Sequence, residues 1–110
     1  MTNYERDLKF IDLSKEEIRT HQLKTKDYTM NGDSLGNFHR VSRTMQMYDI
    51  DMGTPEGVCI GYMMKQLDCV LWQLSENYEG VEGTQDRLLD IGVYIKILRI
   101  LLEERSEDQD

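Results

Sequence analysis

Apolar side chains recur at steps of three and four along most of the chain, and no stretch of any length alternates as a strand does. Leu35, Phe38, Val41, Met45 and Tyr48 fall on one helical face, with Asp33 or Ser34 ahead of them as a cap and an end near Tyr48. Asp49 to Gly53 reads as a turn. Thr54-Pro55 is a cap followed by proline at the first helical position, which starts a helix reaching about Tyr78. Gly80 to Gly83 interrupts it, Thr84 caps the next helix, and that one reaches about Arg105. Nearer the N-terminus, Ser14-Lys15-Glu16-Glu17 has the form of a capping box and predicts a helix to about Lys26. Tyr4 to Leu13 predicts a short helix before it, with Leu8 and Ile11 on one face. Met30 to Asp33 reads as a loop, where Asn31-Gly32 supplies left-handed backbone at little cost. The fold class is therefore all-α, a four- to five-helix bundle. One helical domain spans 1–102, and residues 103–110 form an acidic tail expected to fray.

Two of the predicted helices are apolar almost all round. Val58 to Leu74 holds 17 residues, 12 of them apolar, and only Lys65 and Asp68 are charged. In the last helix Gly92, Lys96, Arg99 and Glu103 share one narrow polar face, and nearly everything else from Leu88 to Leu102 is apolar. A surface helix needs a single apolar stripe. Two such helices exceed what the shorter ones can cover, so the pattern predicts a homo-oligomer that buries the remainder between subunits. A charge placed at Leu71 or Ile97 is expected to disrupt it.

A chain of 110 residues is the length of one domain. No apolar run is long enough to span a membrane, and MTNYERDLKF has no apolar core of a secretory signal. Cys59 and Cys69 stand about 280° apart around one helix, so they do not pair within it, and both read as reduced and buried. These features predict a cytoplasmic protein with no membrane partner.

The net charge of −8 is uneven. Residues 1–48 carry 8 Lys/Arg against 7 Asp/Glu, and residues 49–110 carry 5 against 14. Residues 19–43 are locally basic, through Arg19, Lys24, Lys26, Arg40 and Arg43, with His21 and His39 among them. The overall field disfavours duplex nucleic acid, whose binders present a basic face. A small anionic ligand on a local basic patch fits. The acidic second half keeps open another class, an inhibitor that mimics nucleic acid on a protein surface.

The polar residues inside the apolar helices carry most of the candidate chemistry. Lys65 and Asp68 are i,i+3 neighbours, read either as a mutual ion pair or as a lysine aimed at a ligand and oriented by a carboxylate. Asp86, Asp90 and Tyr94 form one stripe at i, i+4, i+8, expected to point inward with Val93, Ile97 and Leu101. Asp86 suits the helix start by its charge. Asp90 reads as the partner of Lys65 or Arg87, as a ligand acceptor, or, with Asp86, as a magnesium ligand. Magnesium is the one cofactor these carboxylates leave open, yet a complete hard-oxygen set is not visible. The paired acids Glu16-Glu17 lack a third acid at position 20, which is Thr. His21 and His39 have no zinc-ligand spacing. Methionines 45, 47, 63 and 64 read as core filler.

Lys26-Asp27-Tyr28, Gly32, Asn37-Phe38 with Arg40, Lys65 in an apolar helix, and then Asp86, Asp90 and Tyr94 follow one another in an order that resembles the phage nucleotide modification associated domain. That group is similar to the MazG-like all-α NTP pyrophosphatases. The resemblance covers roughly residues 20–103. It implies an oligomeric helical bundle linked to nucleotides, in the host cytoplasm if the chain is phage-encoded. Two positions depart from it: Thr29, Met30 and Asn31 intervene before Gly32, and Asp68 stands where arginine is usual. The second reverses a charge in the expected pocket, which bears on catalysis more than on binding.

The residues by themselves allow the same ligand class. Lys26, Arg40 and Lys65 are suited to phosphate, Tyr28 and Phe38 to stacking on a base, and Asn37, Asp68, Asp90 and Tyr94 to polar edges. The expected function is binding of a phosphorylated nucleotide or nucleotide signal, by sequestration rather than turnover. The alternatives are a magnesium-dependent NTP pyrophosphatase and an acidic inhibitor of a host nucleic-acid enzyme.

Overall fold

The first helix begins with a capping box at Thr2, not at Ser14. The Thr2 hydroxyl accepts from the Glu5 amide at 3.1 Å, and the Glu5 carboxylate accepts from the Thr2 amide at 2.8 Å. Each satisfies a donor that the helix start leaves open. From there α1 (Asn3–Tyr28) runs unbroken. The two expected N-terminal helices are thus one. With neither glycine nor proline between Asn3 and Tyr28, a Ser-x-x-Glu pattern does not stop a helix that is already propagating.

The computed structural model describes residues 1–28, 35–77 and 83–108, with the side chains of residues 25–28 outside that set. The expected Asn31-Gly32 loop, the Asp33 or Ser34 cap and the break at 80–82 also fall outside it. Three further helices follow α1: α2 (Gly36–Met47), α3 (Pro55–Glu76) and α4 (Thr84–Asp108), with no strand among the described residues.

The link from α2 to α3 is built by local hydrogen bonds. Asp49 takes a positive φ of 52°, its amide donates to the Gln46 carbonyl at 3.1 Å, and the Ile50 amide donates to the Met45 carbonyl at 2.9 Å. This is a Schellman end, with an aspartate where glycine is commoner. The Asp51 carboxylate then accepts from the Gly53 amide at 2.7 Å, and the Thr54 hydroxyl donates to the Asp51 carbonyl at 2.8 Å. The same hydroxyl accepts from the Gly57 amide at 3.0 Å, the expected cap ahead of Pro55. A Cβ at Gly57 would stand 1.9 Å from the Asp51 carbonyl oxygen, so only glycine lets the turn fold onto the helix. At its far end α3 closes on Asn77 at φ 51°, whose amide donates to the Gln73 carbonyl.

α3 and α4 form an antiparallel hairpin. Glu56 lies 4.0 Å from Arg105 at one end, and the Thr84 hydroxyl donates to Gln73 Oε1 at 3.0 Å at the other. Thr84 is the first helical residue and not the cap, its hydroxyl being turned to α3. α4 continues past Leu102 through Asp108, so the segment expected to fray is helical to that point, with Arg105 held near Glu56. α2 lies antiparallel on another face of α3, and α1 meets the rest chiefly at α3.

Among the described residues the buried set is small, and three of its seven non-glycine side chains are polar. Met45, Cys59, Cys69 and Val70 are the buried apolar residues, and Asn37, Gln73 and Arg87 are buried beside them. Both cysteines are free. The radius of gyration is 18.3 Å, against about 13 Å for a compact domain of this length. Among the described residues, no helix is long and apolar enough to cross a membrane.

Candidate functional site

α2 lies against α3 through a polar clasp. Arg40 grips Asp68 with two parallel hydrogen bonds, Nε to Oδ1 at 2.6 Å and NH2 to Oδ2 at 2.8 Å. Asn37, only 2% exposed, donates to Asp68 Oδ2 at 2.9 Å and to the Lys65 carbonyl at 3.3 Å. Three of the expected site residues therefore meet, and they hold two helices together. Asp68 is engaged by Arg40 and Asn37, which makes it the anchor of α2.

Beside the clasp runs a groove of about 710 Å³ between α2 and α3. Phe38 and Tyr62 border it with wide aromatic exposure, Met45, Ile50 and Met52 supply apolar surface, and Lys65 stands at its edge. The Schellman end explains part of this shape, because it turns Ile50 back beside Met45. Sequence reasoning marked Phe38 and Lys65 but missed Tyr62. That residue occupies an apolar helix where an aromatic reads as core, yet it remains 54% exposed. Asn37, Phe38 and Lys65 are thus brought to one place. The side chains of Lys26 and Tyr28 lie outside the described residues.

The α4 residues adjoin the groove through Tyr62. Tyr94 packs on Tyr62 with ring centroids 5.8 Å apart and planes at 56°, the tilted arrangement that aromatic quadrupoles favour. The Cys59 thiol donates to the Tyr94 carbonyl at 3.3 Å. Asp90 accepts from Gln66 Nε2 at 3.5 Å, while Gln66 Oε1 accepts from Arg87 NH1 at 2.6 Å. Gln66 thus stands between Arg87 and Asp90, a relay that the pair reading of Asp90 with Arg87 lacked. The inward stripe is corrected in part. Asp90 and Tyr94 are half-buried, but Asp86 is exposed, and Val93 and Ile97 are 49% and 41% exposed. The reason is angular: α3 covers the sector of α4 that runs through Arg87, Tyr94 and Leu101, and the other members turn past it. Among the described residues, no three His, Cys, Asp or Glu side chains gather as a metal set.

No protein-family model matches this chain, and no curated protein or solved structure matches it.

Proposed function

We propose that the protein is a self-associating helical bundle that binds a phosphorylated nucleotide in the α2–α3 groove and holds it without turnover. The observation that carries this reading is the convergence of Phe38, Tyr62 and Lys65 on one apolar groove of about 710 Å³. A base would lie against the aromatic faces, and the Lys65 ammonium would meet a phosphate by a charge-assisted hydrogen bond. The volume is in the range of small-molecule sites, which are mostly apolar with a few placed polar groups. Arg40, expected beside Lys65 at the phosphate, serves in this reading to position α2 through Asp68.

Sequestration is favoured over cleavage by the donor set. Asp49 is the one carboxylate among the groove residues described, and magnesium held for pyrophosphate chemistry takes several oxygens. Self-association is supported by large apolar side chains left half or more open along α3 and α4, among them Leu71, Leu74 and Leu89. Thermal shift against a panel of nucleosides, nucleotides and inorganic phosphate, with product formation followed in parallel, tests the ligand class. Stabilisation by nucleotides but not by nucleosides, with no product, is the expected result. No stabilisation by any member would contradict the reading.

A further inference from the structure

Tyr62, Tyr94, Ile97 and Leu101 meet on one side of the α3–α4 hairpin. The opposite side has a stricter pattern. Apolar residues recur at alternating steps of four and three from Ile60 to Leu74, and of three and four from Leu88 to Leu102. This is the spacing of a helix seam that packs on a parallel or antiparallel neighbour at a shallow angle. The hairpin register is fixed by Gln66 against Asp90 and Gln73 against Thr84. At about 100° per residue, that register turns both seams to the same side, away from Tyr62 and Ile97. The seams are open: Leu71 is 58% exposed, Leu74 67%, Leu88 43%, Ile95 44% and Leu102 47%.

We propose that a second copy of this chain covers this face, the two hairpins packing seam to seam as a four-helix bundle about a two-fold axis. Two observations select the occupant. The accessible surface is 8454 Å², roughly 2,000 Å² more than a compact monomer of this mass exposes. A stable interface buries about 1,200–2,000 Å² counted over both partners, so the excess is sufficient even after α1, which stands off, takes its share. The seam positions themselves carry no charge, the charges of Arg40, Arg43 and Asp68 lying at the α2 border of the stripe beside Met64, Leu67 and Leu71, and an apolar stripe is complementary to itself, as a two-fold interface requires. The proposal rests on the self-association put forward above and is independent of the ligand. It also sorts the two positions expected to matter: Leu71 lies on the interface and Ile97 does not.

Sedimentation velocity on the full chain at micromolar concentration tests it, with helicity followed by circular dichroism. The parent is expected to be a dimer. Leu71→Glu and Ile95→Glu are each expected to give monomers of unchanged helicity, while Val93→Glu and Ile18→Glu stay dimeric. If Leu71→Glu loses its helicity, the milder Leu71→Gln is expected to weaken dimerisation at least tenfold with the helices intact. A monomeric parent would overturn both the face and the self-association. A dimer split by Val93→Glu or Ile18→Glu but not by Leu71→Gln would overturn the face alone and place the contact on the other side of α4 or on α1.

Discussion

Arg40 and Asp68 are joined by two hydrogen bonds of 2.6 and 2.8 Å, from Nε and NH2 on one edge of the guanidinium, one to each carboxylate oxygen. They stand 28 residues apart in sequence and fasten α2 to α3. Bidentate geometry is what arginine offers and lysine does not. Asp68→Ala is expected to cost about 1.5–3 kcal/mol, the range for hydrogen bonds to charged groups. Arg40→Lys is expected to recover only part of the loss seen in Arg40→Ala. Urea unfolding of the three variants checks this, and a full recovery by lysine would show that charge alone is at work.

Lys65 and Arg40 should separate in their effects. Lys65 is exposed at the groove edge, so Lys65→Ala is expected to weaken nucleotide binding by about 1.5–3 kcal/mol directly, whereas Arg40→Ala acts through the seating of α2 on Asp68. Phe38→Ala should weaken it by about 1–3 kcal/mol through lost stacking. Equal affinity in both variants would move the ligand off this groove.

Gly57 is expected to tolerate no side chain. The Asp51 carbonyl lies where a Cβ would be, and it is backbone, so it has no rotamer by which to withdraw. Gly57→Ala should destabilise by about 1–3 kcal/mol or more, the cost of forced overpacking, despite alanine's better helix propensity. A thermal scan that shows stabilisation would mean the turn is not closed as described.

Gln66 is the shared partner of Arg87 and Asp90. Gln66→Leu keeps a similar volume but removes an acceptor from Arg87, which is 1% exposed. A loss of about 1–3 kcal/mol is expected, the cost of withdrawing a partner from a buried polar group. Double-mutant analysis with Arg87→Met checks the coupling. If the two losses simply add, the bond contributes nothing to stability.

Much of the helical layout was legible from local chemistry. Thr54-Pro55 and the Asp49 to Gly53 turn each depend on a few neighbouring residues and stand where expected; α2 forms as expected too, but of its apolar face only Met45 is buried, while Leu35, Phe38 and Tyr48 are exposed. The misreadings have local causes as well. Ser14 and Thr2 both head Ser/Thr-x-x-Glu patterns, and only Thr2 stands in non-helical backbone as a cap, while Ser14 lies inside α1. The pairing of Asp68 with Arg40 was not legible, because Lys65 is nearer in sequence and the α2–α3 register is a tertiary fact. Tyr62 escaped notice for the same reason. Nothing in an apolar helix marks which aromatic faces a groove until the neighbouring helix is laid on it.

The α2–α3 groove is proposed to hold a phosphorylated nucleotide through Lys65. Calorimetric titration of a nucleoside triphosphate into the parent and into Lys65→Ala, with EDTA present and phosphate release monitored, tests it most directly. Saturable binding by the parent that chelator does not alter, a loss of roughly tenfold or more in Lys65→Ala, and no phosphate released are the expected results. Binding unchanged in Lys65→Ala, or magnesium-dependent release by the parent, would contradict it.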